Sequence, residues 1–549
     1  MSQTTLPGSP DELRPEPDPR PARPAVAVET GRETPTSKPL GRVVTGLVAL
    51  TALAVVFRLE GRGMSFWLDE GLSVGISSHP LTDIPALLRQ DGSPPLYYLV
   101  LHLWMLAFGT SEEAVRALSL LFALVTIPVA FWSADGLFGR RAAWGAAVLT
   151  ATSSYLVFYS REARMYTLLV LLVLVCVTAF THAFVFGRRR WLPVVALSLT
   201  GALYTHNWGL YLALGLAAAA GLAVAATTDR RRLLLDGAAV TAAVAVLYAP
   251  WVPVLVYQAA NTGAPWSRTP DVGNLVGVLG SILGHDGILI AFALVGLPAL
   301  VALVRRWRAG GEALAAAALA VVVGVSLALS WLASLLEPAW AGRYFGVFLP
   351  PVILLMALGL ARERRRGLVA LGLIAFLAVE PFSNFPGLLP TGSGQKSNVR
   401  RSVLMVDHLA VAGDVVVSTQ MEHVPLLHYY LGPDLRYADP MGPVADPQIV
   451  DWRDATARML SATPEQGLVP LVEDMEAGSH LFLVCPRSEG DDEDEDRLEW
   501  VVLMEQHCLS WRATLVDDPS MERVLGPVSP TPRRAAGSSV FITVYEKLA

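Results

Sequence analysis

The chain has 549 residues, 53% of them hydrophobic and 16% charged, with a mean hydropathy of +0.46. That balance excludes an ordinary soluble multidomain protein. The net charge of −6 separates no classes by itself, because the distribution of charge carries the information.

The first segment, residues 1–40, is rich in Pro, Glu, Arg and Thr and has no apolar periodicity. It reads as a disordered cytoplasmic tail. The first apolar run lies too far in, and is too long, for a secretory signal. From there apolar runs of roughly 18 residues recur, which predicts a polytopic α-helical membrane protein. Spans are expected near 42–60, 116–138, 142–160, 166–186, 191–207, 209–227, 233–252, 286–304, 313–336, 346–361 and 367–382, about eleven in all.

Compact basic clusters alternate with these runs: Arg140-Arg141, Arg188 to Arg190, Arg230 to Arg232, Arg305-Arg306 with Arg308, and Arg362 with Arg364 to Arg366. The bias of Arg and Lys toward the cytoplasm puts these loops inside and the alternate loops outside. The apolar stretch from Pro94 to Gly109 is only about 15 residues long, too short for a span. Reading it as one would turn every arginine cluster outward. It is therefore expected as a helix on the outer leaflet, with Tyr97, Tyr98, His102 and Trp104 at headgroup depth.

Residues 383–549 change to polar, mixed α/β composition. Asp414 to Ser418, Leu481 to Val484 and Phe541 to Tyr545 read as strands, and Val424 to Tyr430 as a helix. A multi-pass protein with an odd number of spans and a cytoplasmic N-terminus places this α/β domain outside the plasma membrane. Cys485 and Cys508 both fall in it, where oxidation to a disulfide is expected. Cys176 is mid-span and reads as packing. The run Asp491 to Asp496 reads as a solvated acidic loop, with cation binding as the alternative.

The outer side collects the residues able to do chemistry. Asp69 and Glu70 are adjacent carboxylates just past the first span, costly beside a bilayer without a task. Arg161 and Arg164 oppose the positive-inside bias, so they pair with Glu162, Asp69 or Glu70, or bind an anionic headgroup. Glu112 and Glu113 before Arg116 read as helix capping. Tyr204 to Trp208 reads either as an interfacial span end or as a site wall carrying His206. The chain has no P-loop, no Gly-x-Gly-x-x-Gly and no Cys-x-x-Cys or His-x-x-His, so a nucleotide-driven pump has no support.

These motifs, in order, resemble a family. Trp67-Leu68-Asp69-Glu70, Asp91 to Tyr98, Gly109, Glu113 to Arg116, Tyr159 to Tyr166, and Gly342-Arg343-Tyr344-Phe345 are similar to the motifs of the GT-C superfamily of membrane glycosyltransferases. The likeness is to the family 39-like bacterial branch, which includes protein O-mannosyltransferases and the lipid A aminoarabinose transferase, and it covers residues 41–382. It implies transfer of a hexose or pentose from a polyprenyl-phosphate donor to a hydroxyl of a glycan, lipid or protein acceptor on the outer face. Membrane lipid is a partner and nucleic acid is not.

By the same resemblance Asp69 is the general base. Glu70 orients the acceptor, or a divalent cation shared with Asp69; no cofactor is otherwise implied. Glu162 either holds the neighbouring arginines in place or serves as the family's second acidic residue. Arg161, Arg164 and Arg343 face the donor phosphate, with Tyr344, Tyr166, His206, Asp91 and Tyr97 around them. Where the aminoarabinose branch has a lysine before the Pro-Pro pair, this chain has Ser93, which sets that sugar in doubt. The competing class is a lipid-linked sugar transporter or flippase, which should show mid-span polar residues and internal repeats. A ligase or polymerase that moves a whole glycan is a third reading.

Overall fold

The computed structural model describes residues 40–59, 64–379, 396–487, 498–530 and 539–549. The N-terminal tail and the acidic run at Asp491 to Asp496 lie outside the described residues. The chain divides into two compact units, residues 1–45 and 46–549. Of the first, only the start of one helix is described.

Helices dominate up to residue 379. In chain order they are α1 (Leu40–Leu59), α2 (Leu68–Ser77), α3 (Ile84–Asp91), α4 (Leu96–Phe108), α5 (Glu112–Phe138), α6 (Arg140–Thr152), α7 (Ser154–Tyr159), α8 (Tyr166–Phe180) and α9 (Leu192–Thr205). They continue as α10 (Gly209–Ala226), α11 (Arg230–Tyr248), α12 (Val252–Asn261), α13 (Val272–Leu283), α14 (Asp286–Val304), α15 (Gly311–Leu336), α16 (Leu349–Arg362) and α17 (Arg364–Val379).

Every expected span is helical, and the protein is an integral membrane protein by its apolar helices. Among the described residues, 7 helices are long and apolar enough to cross a membrane, α11 and α12 counting as one from Arg230 to Asn261. The other four expected spans are α6, α9, α16 and α17, of 13, 14, 14 and 16 residues. At about 1.5 Å per residue these fall short of a roughly 30 Å hydrocarbon core. The expected span at 142–160 is broken at Ser153, whose hydroxyl accepts from Leu156 N and starts α7.

Within the arginine clusters Arg140 pairs with Asp135, Arg189 and Arg232 with the buried Asp236, and Arg362 with Glu312. Asp69, Asp91, Tyr98, Arg164 and His206 lie on α2, α3, α4 and the loops after α7 and α9. The expectation that Tyr97 and Tyr98 lie at headgroup depth is corrected: both are fully buried inside the protein. Their hydroxyls have partners there, Ser119 Oγ for Tyr97 at 3.2 Å and Arg164 for Tyr98 at 3.3 Å.

The C-terminal region is built on a six-stranded sheet. Its strands are β1 (Val415–Ser418), β2 (Arg436–Asp439), β3 (Gly442–Pro443), β4 (His480–Pro486), β5 (Met521–Val528) and β6 (Val540–Lys547), in the order β3-β2-β1-β4-β6-β5. β1 pairs parallel with β2 and β4, and the remaining pairs are antiparallel. The fully buried β1 is a run of valines, as expected for a central parallel strand. The helix Glu499–Asp517 packs on the sheet through Trp511 and Leu515. A Cys485–Cys508 disulfide joins it to β4, as the sequence led us to expect.

This region sits directly on α2. A Cβ at Gly71 would lie 2.9 Å from Leu426 Cα, and one at Gly75 would lie 2.0 Å from Gln448 O. Both contacts are with main-chain atoms, so only glycine permits this approach. Side chains complete the seam: Tyr430 OH accepts from Phe66 N at 2.8 Å, Arg400 pairs with Glu112 at 2.7 Å, and His79 meets Asp446 at 2.8 Å.

Candidate active site

The site begins where α2 begins. Residues 64–67 are extended, and Trp67 caps the helix. Glu70, three residues on, reaches back to accept from Trp67 N at 3.3 Å. The same carboxylate takes a bidentate pair from Arg116 of α5, at 2.7 and 2.6 Å, and a third donor, Ala163 N, at 3.0 Å. Arg116 also donates to the carbonyls of Met64 and Ser65. Glu70 therefore ties together the approach to α2, helix α5 and the loop after α7, and it is buried.

Asp69 faces differently. Its Oδ2 lies 3.7 Å from Arg164 Nε and 3.8 Å from Arg343 Nη1. It is shielded from solvent and has no hydrogen-bond partner. Both gaps exceed a hydrogen bond, so the carboxylate is flanked by two guanidinium groups and accepts from neither. Arg164 turns Nη1 to Ser73 Oγ, Tyr98 OH and Asp69 O and leaves Nε without a hydrogen bond. Arg343 lies 5.4 to 6.0 Å from the rings of Tyr344, Trp266 and Trp67, a setting that holds a cation on apolar surface. Its own carbonyl accepts from Tyr155 OH at 2.6 Å.

Around this pair the expected residues fall into place or depart. His206 packs on Tyr344 at 4.7 Å and on Tyr166 at 6.4 Å, and its Nδ1 accepts from Trp208 N. The Tyr166 hydroxyl, Asp91 Oδ2 and Asn207 Oδ1 are shielded from solvent and unpartnered; burial pushes the Asp91 carboxyl upward. Arg161 donates to Phe57 O of α1 at 2.5 Å. Tyr97 ends on Ser119, and the neighbouring Tyr98 is the tyrosine that reaches Arg164.

Sequence reasoning missed Lys396. It arrives from beyond the last apolar helix, pairs with Glu162, and lies 4.4 Å from the Trp67 ring centroid. Nothing in its Gly-Ser-Gly-Gln-Lys surroundings marks it. Glu422 was missed as well. It sits between β1 and the helix Val424–Leu431, accepts from Trp500 Nε1 at 2.8 Å, and leaves Oε2 buried and unpartnered.

No group of three or more His, Cys, Asp or Glu side chains could hold a metal among the described residues. With the Glu70 oxygens engaged, a divalent cation at this pair would meet only Asp69.

Glu162 carries a pH signature. Burial pushes its carboxyl from the ordinary 4.5 up to about 7, with the Lys396 ammonium opposing. A carboxyl that holds its proton more tightly folded than unfolded adds stability at low pH, and that contribution is lost as pH rises through the folded value. Thermal stability is therefore expected to fall as pH rises from about 4.5 to about 7, and Glu162→Gln is expected to flatten that fall. Glu422, also pushed up to about 7, contributes equally to both proteins, so the difference between their unfolding curves isolates Glu162. Parallel curves would rule the assignment out.

Comparison with known proteins shows what the chain is similar to. Residues 92–257 match the model of the dolichyl-phosphate-mannose-protein mannosyltransferase family. That stretch contains Arg161, Glu162, Arg164, Tyr166 and His206, and leaves Asp69 and Arg343 outside. Among solved structures, the chain is similar to ArnT from Cupriavidus metallidurans bound to undecaprenyl phosphate, at a TM-score of 0.59 and 15% identity, covering 92% of this chain and 98% of that one. It is also similar to the arabinofuranosyltransferase AftD from Mycobacteria, at 0.54 and 15%, covering 92% of this chain and 40% of that one. A third is the oligosaccharyltransferase AglB from Archaeoglobus fulgidus, at 0.52 and 11%, covering 80% and 69%. A comparison with curated proteins finds no match.

The chain therefore shares the fold of these membrane glycosyltransferase structures, and its residues 92–257 are similar to the mannosyltransferase family.

Proposed function

We propose that the protein transfers a sugar from a polyprenyl-phosphate carrier to an acceptor hydroxyl at Asp69, on the extracytoplasmic face of a bacterial plasma membrane, with the N-terminus inside. The observation that carries this reading is the Asp69 carboxylate, 3.7 and 3.8 Å from two arginines and accepting a hydrogen bond from neither. That spacing leaves a position where a hydroxyl proton and a phosphate oxygen can both be met.

In the reaction the acceptor oxygen attacks the anomeric carbon and its proton passes to Asp69. The new glycosidic bond forms as the bond from the anomeric carbon to the phosphate oxygen breaks. The polyprenyl phosphate leaves with one more negative charge. Arg164 and Arg343, already aimed at this point, stabilise that charge. The cation–π setting of Arg343 and the Lys396–Glu162 pair keep the cations in place without consuming all their donors. The reading of the membrane side is supported by the arginine clusters that alternate with the apolar runs of the sequence. The matched family's description names mannose on dolichyl phosphate, so a mannosyl-type hexose or a pentose is the donor sugar to try first.

Arg343→Ala is expected to weaken binding of undecaprenyl phosphate by about 10- to 100-fold, the range for losing one charged contact of roughly 1.5–3 kcal/mol. Turnover with sugar-loaded lipid should fall with it. Lipid affinity measured on the purified protein in nanodiscs checks this. An unchanged affinity together with unchanged turnover would remove Arg343 from the donor site.

A further inference from the structure

A cavity of about 350 Å³ lies away from Asp69, between Gln90 at the end of α3 and two segments of the sheet region, Met421 to Val424 and Asp439 to Asp451. Its wall carries Asp439, Asp446, Asp451 and Arg458 among apolar side chains such as Ile449 and Val450. Main-chain bonds make it a built feature: Trp452 N donates to Gln90 O at 3.0 Å, and Asp454 N to Asn261 O at 2.9 Å. Asp446 is held by His79 and by Gln448 N, and Asp451 by Arg453. Carboxylates fixed in this way keep lone pairs free to accept from hydroxyls.

A path of contacts links the cavity to the reacting position. Trp452 follows the lining Asp451, and its ring lies 4.6 Å from that of Trp266 and 5.8 Å from Trp500. Trp266, partly exposed, is in turn 5.9 Å from the Arg343 guanidinium, which faces Asp69. Its indole N–H is unpartnered. Next in sequence to the lining Gln90 and Met421, Asp91 and Glu422 each keep a shielded carboxylate oxygen without a partner. His79, which holds the lining Asp446, lies just past the end of α2, whose run from Asp69 to Ser77 spans about 12 Å at the helical rise.

We propose that this cavity is a distal subsite for an oligosaccharide acceptor. The chain of sugars rests its far residue among Asp439, Asp446 and Asp451, passes the Trp266 indole, and presents its terminal hydroxyl to Asp69. Polar groups at the cavity and an aromatic face along the way suit a molecule with hydroxyl edges and C–H faces. A compact, carboxylate-lined chamber suits neither acyl chains nor an extended peptide backbone. Binding far from the chemistry fixes the position of the reacting hydroxyl and lowers the entropic part of the barrier. The inference rests on the glycosyltransferase reading for the identity of the acceptor, but its binding step can be tested without turnover.

The test uses the full-length protein in nanodiscs, without donor, and saturation-transfer NMR with α-1,6-mannotriose, maltotriose and an arabinofuranose trisaccharide. At least one is expected to bind. Ala445→Trp, at the exposed rim of the cavity, is expected to weaken that binding by about tenfold or more. Asp446→Asn, which keeps its acceptor oxygen for Gln448 N, should weaken it without closing the space. Leu460→Trp, which puts the same indole at an exposed position outside the cavity, is the control and should bind as wild type. Binding of a serine- and threonine-containing hexapeptide should not respond to Ala445→Trp.

The proposal is overturned if no trisaccharide binds, if Ala445→Trp binds as wild type, or if the hexapeptide occupies the cavity instead. Trisaccharide binding that is blocked by Ala445→Trp, in a protein whose turnover does not depend on Asp69, would keep the subsite and remove the catalytic reading.

Discussion

Asp69→Asn is expected to lower sugar transfer by about 10²–10⁴-fold, the usual cost of losing a positioned general base, in a protein that folds and inserts normally. Folding should survive because local structure depends on the main chain of Asp69. Its carbonyl accepts from Ser73 Oγ at 2.8 Å and from Arg164 at 3.3 Å, while its Oδ2 has no hydrogen bond to lose. Asn keeps the size and removes the capacity to take the acceptor proton. It also removes the negative charge beside Arg164 and Arg343, so binding of undecaprenyl phosphate should hold or tighten as turnover falls. That split separates a transferase from a lipid carrier. A carrier would keep moving the sugar lipid across the membrane with Asn at this position, and retained transfer would end the general-base assignment.

The second large effect is one of stability. Arg116→Met is expected to cost about 3–5 kcal/mol, the penalty for leaving a buried ion without its partner. Glu70 would lose two bonds of 2.7 and 2.6 Å and keep only the main-chain donors of Trp67 and Ala163. The extended segment before α2 would also lose its anchors at the Met64 and Ser65 carbonyls. Adding Glu70→Gln in the same protein should recover part of the loss, because the neutral amide costs less to bury. Heat-induced loss of the monodisperse protein, followed for the two variants and wild type, measures this. A single variant within about 0.5 kcal/mol of wild type, the range for a neutral surface change, would show that Glu70 does not depend on Arg116.

These two carboxylates show how far a sequence can be read. Asp69 and Glu70 are adjacent, and both were expected to share catalysis or a cation. One helical step of about 100° separates their side chains. That step sends Glu70 inward to Arg116 and leaves Asp69 facing Arg164 and Arg343. Adjacency was legible and direction was not. Tyr97 and Tyr98 repeat the lesson, since both lie in the same motif and only Tyr98 reaches Arg164. Arg161 and Arg164 were one group in the sequence. Three residues apart in a tight loop, they divide between the Phe57 carbonyl and the Asp69 site.

The sequence alone determined that this chain is a bundle of apolar helices with a mixed α/β region after it. It also determined that Cys485 and Cys508 both fall in the region after the apolar runs. All of these follow from composition and period, which are local and additive along the chain. Only the tertiary structure decided which carboxylate meets which arginine, and that Lys396 and Glu422 join the site. It alone revealed that Gly71 and Gly75 let the sheet region press onto α2, and that a cavity lies between Gln90 of α3 and the sheet region. Those facts depend on side-chain direction and on contacts between residues as far apart as 162 and 396. Hydrophobic pattern carries no record of either, because burial is satisfied by many arrangements and a specific ion pair by very few.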